Sequence, residues 1–183
     1  MFTLKIADEL ELALVEPAFA QDYLDIVASQ RDYLSQWLVW PQFAQDKAFF
    51  VEFIQKSLID YAKGKSLTCA IVFEGQVVGN ISFNSISDTL KKVEIGYWLS
   101  QTYQGKGIVS RAVAKLTEIA FNEMEMTKVQ IAAAVGNQPS RRVCERLGFQ
   151  LEGVITQEEK INGCLLDHAI YGLRKADWQK HRG

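Results

Sequence analysis

The sequence predicts a mixed α/β fold, a largely antiparallel sheet interrupted by one β-α-β crossover. Three observations predict it. Apolar residues recur at helical spacing between residues 17 and 64, then at alternating spacing from residue 67 onward. Glu74-Gly75 stands between two alternating runs as a hairpin signal. Finally, the strand-like runs 93–99 and 129–135 flank one strongly amphipathic helix, which makes the second run a parallel neighbour of the first.

Each element has its own signal. An opening strand over 10–14 leads through Glu16-Pro17 into a helix whose apolar face is Phe19, Tyr23, Ile26 and Val27. A second short helical piece carries Tyr33, Leu34, Trp37 and Leu38 and ends near Pro41. Asp46 can cap a third helix with Phe49, Phe50, Phe53, Ile54 and Tyr61 on one side, stopped by Gly64. Strands follow over 67–73 and 77–83, and in the second Val77, Gly79, Ile81 and Phe83 share a face. After a polar turn over 85–89 comes the strand 93–99. Helical spacing returns over 108–121 at Val109, Ala112, Val113, Leu116, Ile119 and Ala120. A short buried strand spans 129–135, a helix 139–147 is terminated by Gly148, a strand begins over 149–154, and the run 165–173 ends the sheet. Without repeats or a linker, the chain reads as one domain over 1–183.

Composition removes several classes of function. The 183 residues are 48% hydrophobic, enough to form a core without disulfides, and the net charge of −2 gives no basic excess for nucleic acid or a membrane surface. No apolar run approaches the roughly 20 residues of a membrane span, and the N-terminus lacks a signal-peptide pattern, so a soluble cytoplasmic protein is expected. The three cysteines, Cys69, Cys144 and Cys164, form no CxxC pair and read as free thiols, Cys164 alone accessible. His168 and His181 are the only histidines and belong to no ligand-spaced cluster, so no metal site is expected.

The most informative stretch is Tyr103-Gln104-Gly105-Lys106-Gly107-Ile108-Val109-Ser110-Arg111, a glycine-spaced turn between a strand and a helix. Backbone N–H groups at such a turn point where the helix dipole is positive, which suits a phosphate or pyrophosphate. It is not a Walker loop, because one residue separates Gly105 from Gly107 and Ile108 follows; nor is it a dinucleotide fingerprint, because Ser110 stands where the third glycine belongs. It resembles the acetyl-CoA pyrophosphate loop of the GNAT superfamily of N-acetyltransferases, Gln/Arg-x-x-Gly-x-Gly/Ala, through Gln104 and Gly107; Val109 departs from the usual Gly or Ala. Two flanking phrases carry the resemblance further. Val93-Glu94-Ile95-Gly96-Tyr97-Trp98-Leu99 is similar to the family's fourth strand, and Asn137-Gln138-Pro139-Ser140 with Leu147-Gly148-Phe149 to its next motif. Trp37-Leu38-Val39-Trp40, Glu94 to Leu99 and Asn162-Gly163 resemble the RimJ/RimL branch of ribosomal-protein N-acetyltransferases.

The resemblance implies a splayed parallel strand pair at the acetyl-CoA site. It implies cofactor contacts from Trp98, Leu99, Gln104, Gly105, Lys106, Gly107, Ile108, Val109 and Ser110, with Asn137 on the pantetheine arm; Arg111 and Lys106 could meet phosphates. It further implies Ser140 as general acid and Glu159 as general base, with Glu94 the rival base. The acceptor it implies is a protein N-terminal α-amine. That amine is the easier nucleophile, since a group with pKa near 8 is about a tenth neutral at pH 7, whereas a lysine near 10.4 is roughly 4.6 kcal/mol short. A small-molecule amine such as a polyamine, or a non-catalytic acyl-CoA-binding module, remains the alternative, and a homodimer is left open.

Overall fold

The structure, a computed structural model, describes residues 1–180. Its strands form one eight-stranded sheet in the order β1-β2-β3-β4-β5-β6-β8-β7. In chain order the elements are β1 (Thr3–Lys5), β2 (Leu10–Leu14), α1 (Ala20–Leu34), α2 (Lys47–Ala62), β3 (Leu67–Phe73), β4 (Gln76–Ser87), β5 (Lys92–Leu99), α3 (Ile108–Asn122), β6 (Lys128–Ala134), α4 (Gln138–Arg146), β7 (Gln150–Ile161), β8 (Cys164–Arg174) and α5 (Lys175–Lys180). All neighbours pair antiparallel except β5 and β6. The sheet is therefore mixed, as the crossover requires.

Two cores lie on opposite faces of this sheet. Val93 and Ile95 of β5 join Ala112, Val113, Leu116 and Ala120 of α3 and Val143 and Cys144 of α4 on one face. Tyr23 and Val27 of α1, Phe50 and Ile54 of α2, and Ala70 and Val72 of β3 form the other. Alternation along β5 sends Tyr97 and Leu99 to the first face and Trp98 to the second. The site therefore has an α3/α4 side and an α1/α2 side.

Several elements differ from their sequence expectation. The separate helical piece near 33–41 is instead the end of α1, which continues to Leu34 past a kink at Gln30 (φ −135°), followed by a 3-10 turn over Trp40–Gln42. The kink has a cause: Gln30 leaves the helix to donate to Ser100 Oγ (2.8 Å) and accept from Gln101 N–H (2.7 Å). Asp46 caps α2 through Phe49 N–H (3.0 Å), but α2 buries only Phe50, Ile54 and Ser57. Phe53 and Tyr61 are 37% and 48% exposed. The shared face predicted for β4 also breaks. Val72 pairs with Val77 while Ile71 pairs with Gly79, so Val78 is an extra, bulged residue that enters the core beside Ile81 and Phe83 in place of Val77. The hairpin β7–β8 extends through residues 155–161, exposed up to Glu158 with only Glu159 half-buried and Ile161 buried, too few inward positions to read as alternation. The strand β1 and the six-residue α5 have no counterpart in the sequence reading, and His181 lies outside the described residues.

Cys69 and Cys144 are buried and Cys164 is exposed. Burial pushes both buried thiols from 9.0 up to about 12, and for Cys144 a hydrogen bond with Tyr97 partly offsets it. Tyr97 is raised by burial too. Groups whose folded pKa lies above the unfolded one favour the fold while both states are protonated. Their contribution is lost as pH rises from about 9 towards about 12. Urea unfolding is expected to show falling stability across that alkaline window, and a thiol reagent is expected to label Cys164 alone before unfolding. Fast labelling of two or three thiols in the native protein would contradict this.

Candidate active site

The parallel pair is the origin of the site. β5 and β6 are in register only at Lys92, Glu94 and the Val93 between them, opposite Lys128 to Gln130. Beyond that point the strands splay, so the outer backbone edge of residues 95–99 has no strand partner. The splay opens a cleft of about 1430 Å³ that passes from one sheet face to the other. Its lining includes Gln104, Gly105, Gly107 to Ser110, Asn137 and Ser140 on the α3/α4 side, and Trp37, Trp40, Phe53, Glu94, Glu159 and His168 on the α1/α2 side.

At one mouth stands the glycine turn. Gly105 and Gly107 have φ of +76° and +67°, the left-handed region that a side chain resists. Gly107 is the N-cap of α3 and offers no side chain to it, and the first helical acceptor, Gly107 O, goes to Arg111 N–H (3.1 Å). The N–H groups of Ile108, Val109 and Ser110 thus have no acceptor within the helix and open onto the cleft. No acidic residue occupies the first turn, so nothing competes with a bound anion.

The side chains around this turn divide differently from the expectation. Arg111 is committed to Glu9 at 2.6 Å, and its hydrogen bond lowers the Glu9 carboxyl below its ordinary range. Lys106 does not line the cleft; its ammonium lies 5.2 and 5.3 Å from the ring centres of Phe73 and Tyr103. Gln104 donates to the Tyr33 hydroxyl. The cations that do line the cleft are Arg142 and Arg146, one turn apart on α4, and Arg146 reaches Ser110 Oγ at 3.0 Å. Sequence reading passed over both. Their spacing on a helix closing towards the turn was the available signal.

Asn137 caps α4, its Oδ1 accepting from Ser140 N–H at 3.3 Å, and it lines the cleft. Ser140 is met from across the splay by Tyr97 of β5. The two hydroxyls are 2.9 Å apart, and the phenol also reaches Ser140 O at 3.2 Å. Leu99 packs on the α3 side and Trp98 on the other, where it meets Tyr23 and Trp40 at ring separations of 5.5 and 5.7 Å. Trp37 and Trp40 are both cleft wall.

On the α1/α2 side, Glu94 accepts from Gln130 Nε2 at 2.9 Å, so the rival carboxylate is paired at the closed end of the splay. Asn84, missed in the sequence, is the extra residue of a second bulge between Phe83 and Ser85 and lies over the bare face of Gly96. Glu159 is placed by a further irregularity. Between Ile155 and Glu159 β7 slips against β8, with Gln157 at φ +52° and its N–H on Asp167 Oδ1 (2.8 Å). Glu159 Oε2 then lies 3.1 Å from His168 Nε2, with both residues on the cleft.

Among the described residues no helix is long and apolar enough to cross a membrane, and no three His, Cys, Asp or Glu side chains gather as a metal site. Residues 10–150 match the family model described as the acetyltransferase (GNAT) domain. The ribosomal-protein-serine acetyltransferase of Escherichia coli (strain K12) is 32% identical over 169 residues, 92% of this chain and 94% of that one. The solved structure of RimL, a ribosomal L7/L12 α-N-protein acetyltransferase in complex with coenzyme A, matches with a TM-score of 0.92 at 27% identity, over 97% of this chain and 99% of that one. The microcin C7 self-immunity acetyltransferase MccE, in complex with acetyl-CoA and AMP, matches with a TM-score of 0.89 at 31% identity, over 93% and 95%.

Proposed function

The chain belongs to the GNAT family of acetyltransferases, with acetyl-CoA as its cosubstrate, and from that premise we propose that its acceptor is the N-terminal α-amine of a protein. The observation that carries this reading is the splay itself. It joins an anion-binding helix start on one sheet face to an aromatic and acidic cleft on the other, so a thioester threaded from one side can meet an amine from the other.

In this reading the backbone from Gly105 to Ser110 holds the pyrophosphate, and Arg142 and Arg146 add positive charge. The open edge of residues 95–99, beside Trp98 and Leu99, and the amide of Asn137 orient the pantetheine arm. The hydroxyl of Ser140 protonates the departing thiolate, and Glu159 supplies the basic side of the cleft. Lys106, held over the Phe73 and Tyr103 rings, is not needed. Relatives named as ribosomal-protein acetyltransferases support a protein acceptor, and the N-terminal serine of L7/L12 is the group one of them is named for modifying.

The test is thiol release from acetyl-CoA with peptides bearing an N-terminal serine beside spermidine at equal concentration. Faster turnover of the peptides is expected, because their α-amine is the more neutral nucleophile at pH 7. Equal or faster turnover of spermidine would overturn the protein-acceptor reading.

A further inference from the structure

The sheet register places His168 in a position that the reading above leaves unused. Gln130, Ala132 and Ala134 of β6 pair with Gly172, Ile170 and His168 of β8. Gln130 shares the side of Glu94, to which it is bonded, so Ile170 and His168 also face the α1/α2 side, while Ala169, Tyr171 and Leu173 enter the opposite core. The His168 side chain is 16% exposed and lines the cleft where an acceptor amine would enter. Glu159 Oε2 is 3.1 Å from its Nε2. A carboxylate can only accept, so this contact puts the ring proton on Nε2 and leaves Nδ1 as the basic nitrogen.

We infer that His168, oriented by Glu159, takes the proton from the attacking amine. This rests on the acetyl-transfer reading and moves Glu159 from base to positioning residue. The chemistry favours the imidazole, because an ordinary imidazole is about two pKa units more basic than a carboxylate and its pKa lies nearer neutral pH. The neutral amine attacks the thioester carbonyl and the C–N bond forms as one nitrogen proton passes to Nδ1. The C–S bond then breaks and the thiolate takes the Ser140 hydroxyl proton. The imidazolium proton returns to the serine oxygen through solvent, so no proton is gained or lost overall. The other charged groups on the cleft are Glu94 on β5, Glu158 on β7, and Arg142 and Arg146 on α4; Asp167, adjacent in sequence, turns away and holds Gln157 N–H.

The experiment compares the parent with His168→Asn, His168→Gln and Glu159→Gln, reading thiol release against acetyl-CoA concentration, with and without added free imidazole. Both histidine variants are expected to lose about a hundred-fold in kcat with an unchanged KM for acetyl-CoA, and to recover part of the rate when imidazole is added. Glu159→Gln keeps the imidazole and loses only its acceptor, so a smaller loss in kcat without imidazole rescue is expected. Full activity in the histidine variants overturns the inference, as does a Glu159→Gln loss larger than theirs, which would make the carboxylate itself the base. A parent that releases no thiol with any amine defeats the acetyl-transfer reading itself.

Discussion

Replacing Gly79 with alanine is expected to destabilise the fold by about 3 kcal/mol, the upper end of what overpacking a tight site costs. A Cβ at that position would sit 2.3 Å from the Trp98 carbonyl oxygen and 3.0 Å from Leu99 Cα. Both are backbone atoms of β5, so no rotamer change relieves the overlap. Gly79 lies directly after the bulged Val78 and pairs with Leu99, at the open end of the splay. The strand can yield only by moving Trp98 and Leu99, which also line the cleft. Thermal unfolding should show a midpoint lowered by roughly 6 to 12 °C for a chain of this size. Calorimetry of Gly79→Ala with and without coenzyme A measures both consequences, since weakened cofactor binding also shrinks the stabilisation that the ligand confers. An unchanged midpoint would mean that β5 tolerates the shift and that the close approach carries no stability.

Ser140→Ala is expected to lower kcat about a hundred-fold, equivalent to about 2.7 kcal/mol, with little change in the KM for acetyl-CoA. The variant removes one hydroxyl and little else. Asn137 caps α4 through the backbone N–H of residue 140, and Tyr97 retains the carbonyl of that residue as an acceptor. Tyr97 is held protonated by its burial, so its phenol can donate to Ser140 Oγ and leave the serine proton free for the cleft. Steady-state kinetics of Ser140→Ala with an N-terminal peptide check this. Retention of the full rate would show that the thiolate departs without a protein acid.

Much of the site could be read in sequence because its parts are local. The turn from Gln104 to Ser110 is set by two glycines, a strand before and an amphipathic helix after, and Asn137 with Ser140 by ordinary helix-start chemistry. Arg111 looked equally local, yet it belongs to Glu9, 102 residues away, and Lys106 to two aromatic rings. Glu9 and Phe73 leave no trace in the neighbouring sequence. Asn84 and Glu159 depend on slips in pairing, which alternation cannot reveal, because a bulge changes which face every later residue takes.

By itself, then, the sequence determined the succession of helical and alternating periods, the crossover that makes one strand pair parallel, and the helix start that suits a pyrophosphate. These follow from backbone geometry within a few residues. Only the tertiary structure decided where β5 and β6 part, which face carries the aromatic and acidic side of the cleft, and that Glu159 meets His168. Those depend on register between strands distant in the chain, and register is fixed by the packing of two cores against opposite faces of one sheet.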